Sequence, residues 1–162
     1  MKVLFCLLLL CWVAPLFAAN EDASRDMSVK LPEDISELLK KEMNMILNEM
    51  KVLSQDVAMG NFESVEKSGR ALQNGYIMKQ KLTSEQKSIL MQRLPKAFKE
   101  LDYNFHRQAG LMADAAKQHN AELVNFYIFK MNEGCVACHS RFAVERFPGF
   151  NPEKGHASGH HH

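Results

Sequence analysis

The stretch from Asn120 to Phe147 reads NAELVNFYIFKMNEGCVACHSRFAVERF and decides the fold that we expect of this chain. Its apolar residues recur at steps of four and three, which is the spacing of one face of an α-helix. That face consists of Val124, Ile128, Met131, Cys135, Cys138 and Phe142. Asn120 suits the cap of this helix, and Pro148 suits its end near Phe147. We therefore predict a long helix that directs both cysteines toward a core.

The same helix carries Cys135-Val136-Ala137-Cys138-His139, which has the C-x-x-C-H form of a c-type haem attachment site. Two thiols at this spacing add to the haem vinyl groups as thioethers, and the adjoining imidazole binds the iron. Positions i, i+3 and i+4 share a helix face, so both sulfurs and the ring can meet one flat macrocycle. We predict one covalent haem c on Cys135 and Cys138, with His139 as the proximal axial ligand.

Two other interpretations of the cysteine pair are less consistent with the sequence. A redox dithiol is typical of a βαβ context, and the chain shows no such pattern. A zinc site would need a second Cys pair beyond the N-terminal segment, and none is present. A disulfide between Cys135 and Cys138 would close a very small loop and stabilise little.

The N-terminal 19 residues have the form of a secretory signal peptide. Lys2 supplies a positive charge, the run from Val3 to Phe17 is apolar, and small residues follow it. A retained membrane anchor fits less well, because the run is short for a bilayer span and contains Pro15. We expect cleavage near residue 18 or 19, a periplasmic location and no stable membrane association.

Beyond the signal peptide we expect a flexible leader at residues 20–30, one domain at 31–148 and a disordered tail at 149–162. The tail ends in three histidines, to which we assign no role. The 162 residues include 20 basic and 19 acidic side chains, with a formal net charge of +1. This balance gives no indication of nucleic-acid binding.

Periodicity and capping signals predict the remaining helices. The first begins at Pro32-Glu33-Asp34, ends at Gly60 and directs a seam inward. The seam is Ile35, Leu39, Met43, Ile46, Met50, Leu53 and Val57. A second helix starts after Asn61, a short one runs from the Thr83–Gln86 capping box to Leu94, and a third long one runs from Pro95 to near His119. The expected fold is all-α, an up-down-up-down four-helix bundle.

Position along these helices selects a candidate for the opposite side of the iron. His139 lies eight residues before Phe147, roughly 12 Å from that helix end. In an antiparallel first helix, the same level falls near residues 41–43, and Met43 lies there on the seam. We predict Met43 as the distal axial ligand, although a methionine on an apolar stripe often only fills a core. His106, or an open sixth position, remains an alternative.

These features resemble the cytochrome c prime family, the class II c-type cytochromes, over residues 31–147. The C-x-x-C-H motif lies near the end of the last helix, and Phe142 supplies the family's aromatic residue three places after the histidine. Pro32-Glu33-Asp34 matches a common start of the family's first helix, and Met43 then falls at its distal position. Leu39 and Ala143 depart from the pattern, because the family often has basic residues there. The resemblance implies an exported four-helix bundle, and it allows a homodimer.

The sequence favours an electron carrier over an enzyme. An iron bound by His139 and Met43 is coordinatively full, so little rearranges when one electron moves. Its partners would be redox proteins met through small transient contacts. The alternative is a five-coordinate haem protein that binds NO or CO. A peroxidase-like activity needs polar acid–base groups on the distal side, and the predicted stripe of Leu39, Met43 and Ile46 is apolar.

Overall fold

The computed structural model describes residues 29–151, which form five α-helices and one short 3-10 turn. The helices are α1 (Glu33–Ala58), α2 (Phe62–Asn74), α3 (Ser84–Arg93), α4 (Lys96–Lys117) and α5 (Ala121–Phe142), and the turn is Pro148–Phe150. No strand occurs within residues 29–151, so the all-α prediction is confirmed and the packing is consistent with a helical bundle. The predicted signal peptide, most of the leader and the tail beyond residue 151 lie outside the described residues.

Local sequence signals account for most helix boundaries. At the start of α3, the Thr83 hydroxyl accepts a hydrogen bond from the Gln86 backbone N–H, and the Gln86 side chain accepts one from the Thr83 N–H, each at 3.1 Å. At the start of α5, the Asn120 side chain accepts from the Leu123 N–H at 3.0 Å. Gly75 ends α2 with a φ of +65°, a conformation that L side chains rarely adopt.

The closest helix packing joins α2 to α4, and it depends on small residues. A Cβ atom added at Gly69 would lie 2.9 Å from the Ala109 carbonyl oxygen and 2.9 Å from the Ala113 Cβ. Only a glycine therefore permits this approach. The α4 helix also packs along α5, whereas α1 approaches α2 and α5 more sparsely.

Several side-chain contacts define which parts of the helices meet. Arg70 on α2 binds Asp114 on α4 at 2.5 Å. The Phe98 and Phe142 rings, near the start of α4 and the end of α5, meet edge to face at 5.3 Å. Near the C-terminal end of α1, the Asp56 carboxylate accepts a hydrogen bond from the Ser64 hydroxyl on α2 at 2.7 Å.

Two apolar clusters form the interior. The main core joins α1, α2, α4 and α5 through Ile46, Leu53, Val65, Leu72, Ala109, Met112, Ala115, Ala116, Val124, Ile128 and Met131. The second core contains Ile35, Leu82, Leu90 and Leu94, and therefore packs α3 against the beginning of α1. Val29 and Leu31 also pack against the second core, so ordered packing begins before the first helix.

The last long helix ends earlier than the sequence predicted. The expected end was near Phe147, but α5 stops at Phe142, and Ala143 has a φ of −141°. The backbone N–H groups of Arg146 and Phe147 both donate to the Ala143 carbonyl at 3.0 Å, which closes a turn. Pro148 disfavours helical geometry at the residue before it, so the chain has to leave the helix by Phe147 at the latest. The observed turn ends the helix earlier than this limit, at Phe142.

A buried acid on α1 was also not predicted. The Glu42 side chain is 2 % exposed. Its carboxylate accepts hydrogen bonds from the backbone N–H groups of Tyr76 at 2.9 Å, Ile77 at 2.5 Å and Met78 at 3.4 Å. These three residues follow the end of α2, so Glu42 joins α1 to the α2–α3 connection. Charge-assisted bonds of this kind are stronger than neutral ones.

Candidate functional site

The cysteine pair lies where the inward stripe of α5 opens. Met131 and Phe142 on this stripe are buried, with exposed fractions of 0 % and 8 %, whereas Cys135 and Cys138 between them are only half-buried. Both cysteines are free thiols. The structure therefore holds two unpaired sulfurs on the core-facing side of one helix, at a place that the protein's own side chains do not fully cover.

The electrostatics of the thiols argue against a redox dithiol. Burial raises the pKa of the Cys135 thiol. Burial, helped by the charges of Asp102 and Cys135, raises the pKa of Cys138 to about 11. Dithiol redox enzymes lower the pKa of the attacking cysteine, because the thiolate is the nucleophile. The two thiols therefore stay protonated near neutral pH, whereas a redox dithiol needs a thiolate there.

His139 follows the pair and is half-buried at the end of α5. The Phe147 ring stacks on its imidazole, with the ring centroids 4.2 Å apart and the planes 16° from parallel. Burial, together with the positive charge of Arg146, lowers the pKa of His139. The neutral imidazole is the form that binds a metal. Stacking covers a face of the ring and leaves its in-plane nitrogen atoms out of the contact.

The turn after α5 creates this stack, and sequence reasoning missed it. The Ala143 N–H bonds to the His139 carbonyl at 3.1 Å, and the chain then folds back so that Phe147 reaches the imidazole. A predicted helix through Phe147 would have separated the two residues by more than two turns. The available signal was Pro148, which restricts the conformation of Phe147.

The residues around the site fit a covalent haem. The donor set is two free thiols and a neutral-favoured imidazole in C-x-x-C-H order, which is the set that haem c requires. The inward residues Leu39, Met43, Leu101 and Phe105 are each half-buried, whereas Ile46 and Met112 further along α1 and α4 are buried. Incompletely covered apolar side chains on the helices that enclose α5 are what a hydrophobic macrocycle would cover.

Met43 packs against the main core together with Met50, Tyr76 and Phe105. This placement on the inner side of α1 agrees with the predicted seam. The same placement is consistent with a core residue and with an axial ligand, so Met43 as the distal ligand stays a prediction. Met45, which points off the seam in the sequence, is 38 % exposed.

His106, the alternative axial ligand, lies inside the helix packing on α4. Its side chain is buried, with 6 % exposed. Nδ1 donates to the Leu72 carbonyl on α2 at 2.5 Å, and Nε2 lies 3.5 Å from the Asp102 carboxylate. Both ring nitrogens therefore face protein partners, and the residue joins α4 to the end of α2. These contacts give His106 a structural role, and His106 as an iron ligand stays an alternative prediction.

Within residues 29–151, no three His, Cys, Asp or Glu side chains gather into a group that could hold a bare metal ion. The same residues contain no helix that is both long enough and apolar enough to cross a bilayer. No protein-family model matches the chain, and no curated protein or solved structure shows significant similarity to it.

Proposed function

We propose that this protein is an exported monohaem c-type cytochrome that carries single electrons between redox proteins. The observation that carries the proposal is the arrangement on α5, where two free, half-buried thiols and His139 lie in C-x-x-C-H order on a core-facing helix. When bound, the haem iron would take up and release one electron. Cys135 and Cys138 would hold the group covalently, and His139 would bind its iron from the proximal side.

The helix contacts support an up-down-up-down arrangement of the four longer helices. Along α2 and α4, Arg70 meets Asp114, whereas Leu72, further along α2, meets His106, which comes earlier on α4. Similar reversals join α1 to α2 through Asp56 with Ser64 and Glu42 with Tyr76. Short connections join α1 to α2 and α4 to α5, as is typical of such bundles, whereas the longer connection from α2 to α4 contains α3.

The same contacts give a second estimate of the level of Met43. The start of α4 and the end of α5 meet at Phe98 and Phe142, and Phe98 also packs against the second core, to which α1 contributes Ile35. If α1 and α5 are antiparallel, His139, one turn before Phe142, is level with residues near Leu39. Side chains slant toward the N-terminus of their own helix, so Met43 and His139 would slant toward each other's level. This geometry supports Met43 as the distal ligand even though α5 ends early.

The surroundings of the site favour electron transfer. Met43 and its neighbours on the inner faces of α1 and α4 are apolar, and they would exclude water from the iron. A methionine axial ligand raises the reduction potential. The Phe147 ring against His139 restricts rotation of the imidazole, so the proximal side would change little between redox states. Capture of NO or CO is the competing function, and it requires Met43 to act only as a core residue.

The absorption spectrum of the protein produced in a host that matures c-type cytochromes tests the proposal. We expect covalently bound haem and a low-spin oxidised spectrum with a sulfur-to-iron band that CO does not alter. Met43→Ala should give a high-spin spectrum, and Met50→Ala, on the same seam about 10 Å further along, should not. A colourless product with the mass of the bare polypeptide would refute the haem. A high-spin wild type would leave the haem in place but favour gas binding.

A further inference from the structure

Positive charge is concentrated in one segment of the chain, between α2 and α4. Residues 75–99 form the α2–α3 connection, α3 and the start of α4, and they contain one acidic side chain, Glu85. The same segment contains six basic side chains: Lys79, Lys81, Lys87, Arg93, Lys96 and Lys99. The rest of residues 29–151 contains 11 basic and 14 acidic side chains. A chain of almost zero net charge therefore combines a strongly basic segment with a slightly acidic remainder.

Several basic groups of this segment lie around the exposed side chain of Met91. Met91 is 56 % exposed, and Lys87 lies four residues before it on the same side of α3. Lys99 on α4 reaches the end of α3, because its Nζ donates to the Met91 carbonyl at 3.3 Å. Glu85 is two residues from Lys87 and therefore lies on another side of the helix. We define the α3 basic face as Lys81, Lys87, Met91, Arg93, Lys96 and Lys99.

Little of this positive charge is neutralised inside the protein. Lys81, Lys87 and Arg93 are exposed, and none of them forms an ion pair with another residue among 29–151. Lys96 lies 3.5 Å from Glu100, but the two side chains are 89 % and 60 % exposed, and exposed pairs of this kind are weak. Clustered charges of one sign create a local potential that attracts the opposite charge. The α3 basic face is therefore open to an acidic ligand.

The α3 helix lies at the end of the molecule that carries the proposed haem site. Its apolar side packs in the second core with Ile35, near the beginning of α1. Phe98 packs against the same core, and its ring meets that of Phe142, about one helical turn after His139. A molecule bound to the α3 basic face would thus lie at the same end of the helices as Cys138 and His139.

We infer that the α3 basic face is the docking surface for an acidic patch on a redox partner protein. This inference rests on the proposed electron-carrier function and adds the chemistry of the partner. Complementary charges speed the encounter of two proteins and orient them, and they add less to affinity, which suits a transient contact. Met91 supplies an apolar contact among the charges. During such a contact one electron leaves the donor and enters the acceptor, and no bond forms or breaks.

A membrane surface fits the α3 basic face less well than an acidic protein does. Helices that lie on membranes combine basic residues with large apolar residues that enter the lipid. Met91 is the one apolar member of this face, and no member is aromatic. A protein partner needs no such insertion.

Calorimetric titration with poly-L-glutamate, an acidic polypeptide probe, tests the docking surface. The full exported chain should bind the probe at pH 8 and about 10 mM ionic strength, although its net charge is almost zero. Binding should disappear above about 0.3 M, because the Debye length is then only about 6 Å. Neutralising three unpaired basic residues of the face should raise the dissociation constant about tenfold or more. This variant is Lys81→Gln, Lys87→Gln and Arg93→Gln.

A second triple variant is the matched control, because it removes the same amount of charge from exposed positions outside the face. It is Lys51→Gln, Lys67→Gln and Lys117→Gln, on α1, α2 and α4. Its dissociation constant should stay close to that of the wild type. Circular dichroism checks that both variants remain helical.

Electron transfer to charged oxidants tests whether the same face serves the redox reaction. The reduced haem protein loses one electron either to ferricyanide, an anion, or to tris(phenanthroline)cobalt(III), a cation. The ferricyanide rate should fall about tenfold or more as salt is added, and the cobalt rate should rise. Neutralising the α3 basic face should remove most of this salt dependence for ferricyanide. The control variant should retain it.

Four outcomes would overturn the inference. The wild type could fail to bind poly-L-glutamate at low salt, or both triple variants could lose binding equally, which would assign the effect to net charge. Neutralising the face could leave the ferricyanide rate unchanged, so that electrons would enter elsewhere. Binding to phosphatidylglycerol vesicles without binding to poly-L-glutamate would indicate a membrane instead of a protein. A colourless chain would refute the haem alone, because the poly-L-glutamate titration does not depend on it.

Discussion

Replacing Glu42 by Gln should destabilise the protein by about 2–4 kcal/mol. The Glu42 carboxylate is buried and accepts three backbone hydrogen bonds, two of them at one oxygen, Oε2. Gln keeps one acceptor of the same shape, but it turns the other oxygen into an N–H₂ donor. In one orientation of the amide, its N–H₂ group faces the backbone N–H groups of Ile77 and Met78. In the other orientation it faces the backbone N–H of Tyr76. Losing a hydrogen bond to a charged group costs about 1.5–3 kcal/mol, and leaving a buried N–H unpaired costs about 1–3 kcal/mol.

Urea unfolding at constant pH measures the effect. Small proteins lose about 1–3 kcal/mol per molar urea, so the midpoint should fall by about 1–2 M. Hydrogen exchange gives a local readout, because the amide of Ile77 should lose protection first. Glu37→Gln is the control on the same helix: its carboxylate is exposed and pairs with the exposed Lys40, so the midpoint should stay near that of the wild type.

The reasoning fails if Glu42→Gln unfolds at the wild-type midpoint with an unchanged slope. The connection after α2 would then hold its conformation without the carboxylate. A midpoint shift without any loss of protection at Tyr76, Ile77 and Met78 would be equally contrary, because the destabilisation would then arise somewhere other than at these three hydrogen bonds.

Three further measurements address the site and the packing. Because the pKa of Cys138 is about 11, iodoacetamide should modify this thiol in the haem-free chain at pH 8 about a hundredfold more slowly than a free cysteine. The stability of the haem-free chain should fall between about pH 9 and 11, because the unfolded chain releases the Cys138 proton at lower pH than the folded chain, and Cys138→Ala should remove that fall. Phe147→Leu should move the imidazole proton resonances of His139 downfield by removing the stacked ring at 4.2 Å, whereas Phe150→Leu should not; equal shifts in both would contradict the stack. Gly69→Ala should lower the free energy of unfolding in urea by about 1–3 kcal/mol, because the new Cβ would lie 2.9 Å from the Ala109 carbonyl oxygen and from the Ala113 Cβ. Gly134→Ala, where a Cβ meets nothing within 4 Å, should raise it by up to about 1 kcal/mol, and the opposite order would refute the close α2–α4 packing.

Local chemistry made much of the fold predictable from the sequence. Thr83 and Gln86 form the expected capping box, Asn120 caps α5, and the apolar spacing identified the inward faces of α1 and α5. Asn61 lies at the predicted start of α2, but its side chain donates to Asp56 instead of capping the helix. Such signals act over a few residues, so they are legible without knowing the tertiary structure.

Features that depend on distant partners were not predictable in the same way. His106 is buried because a carbonyl on α2 accepts its proton, and no local pattern indicates that carbonyl. Glu42 did leave a trace, since it lies seven residues after Ile35 and four before Ile46, on the buried side of α1. Phe147 was assigned to the last helix because Pro148 sets only the latest residue at which the helix can end. It does not show that tertiary contacts end the helix sooner, at Phe142.

The uneven attachment of α1 has a consequence for the order in which the molecule assembles. The α2–α4 pair packs closely at Gly69, whereas α1 approaches its neighbours more sparsely. Buried apolar side chains and two polar contacts, those of Glu42 and Asp56, hold α1 in place. Local opening of the molecule should therefore separate α1 sooner than it separates α2 from α4. We expect the amides of α1 to exchange faster than those of α4. Under the proposed haem attachment, a helix that docks last would leave the inner side of Cys135 and Cys138 accessible to a maturation enzyme until the polypeptide closes.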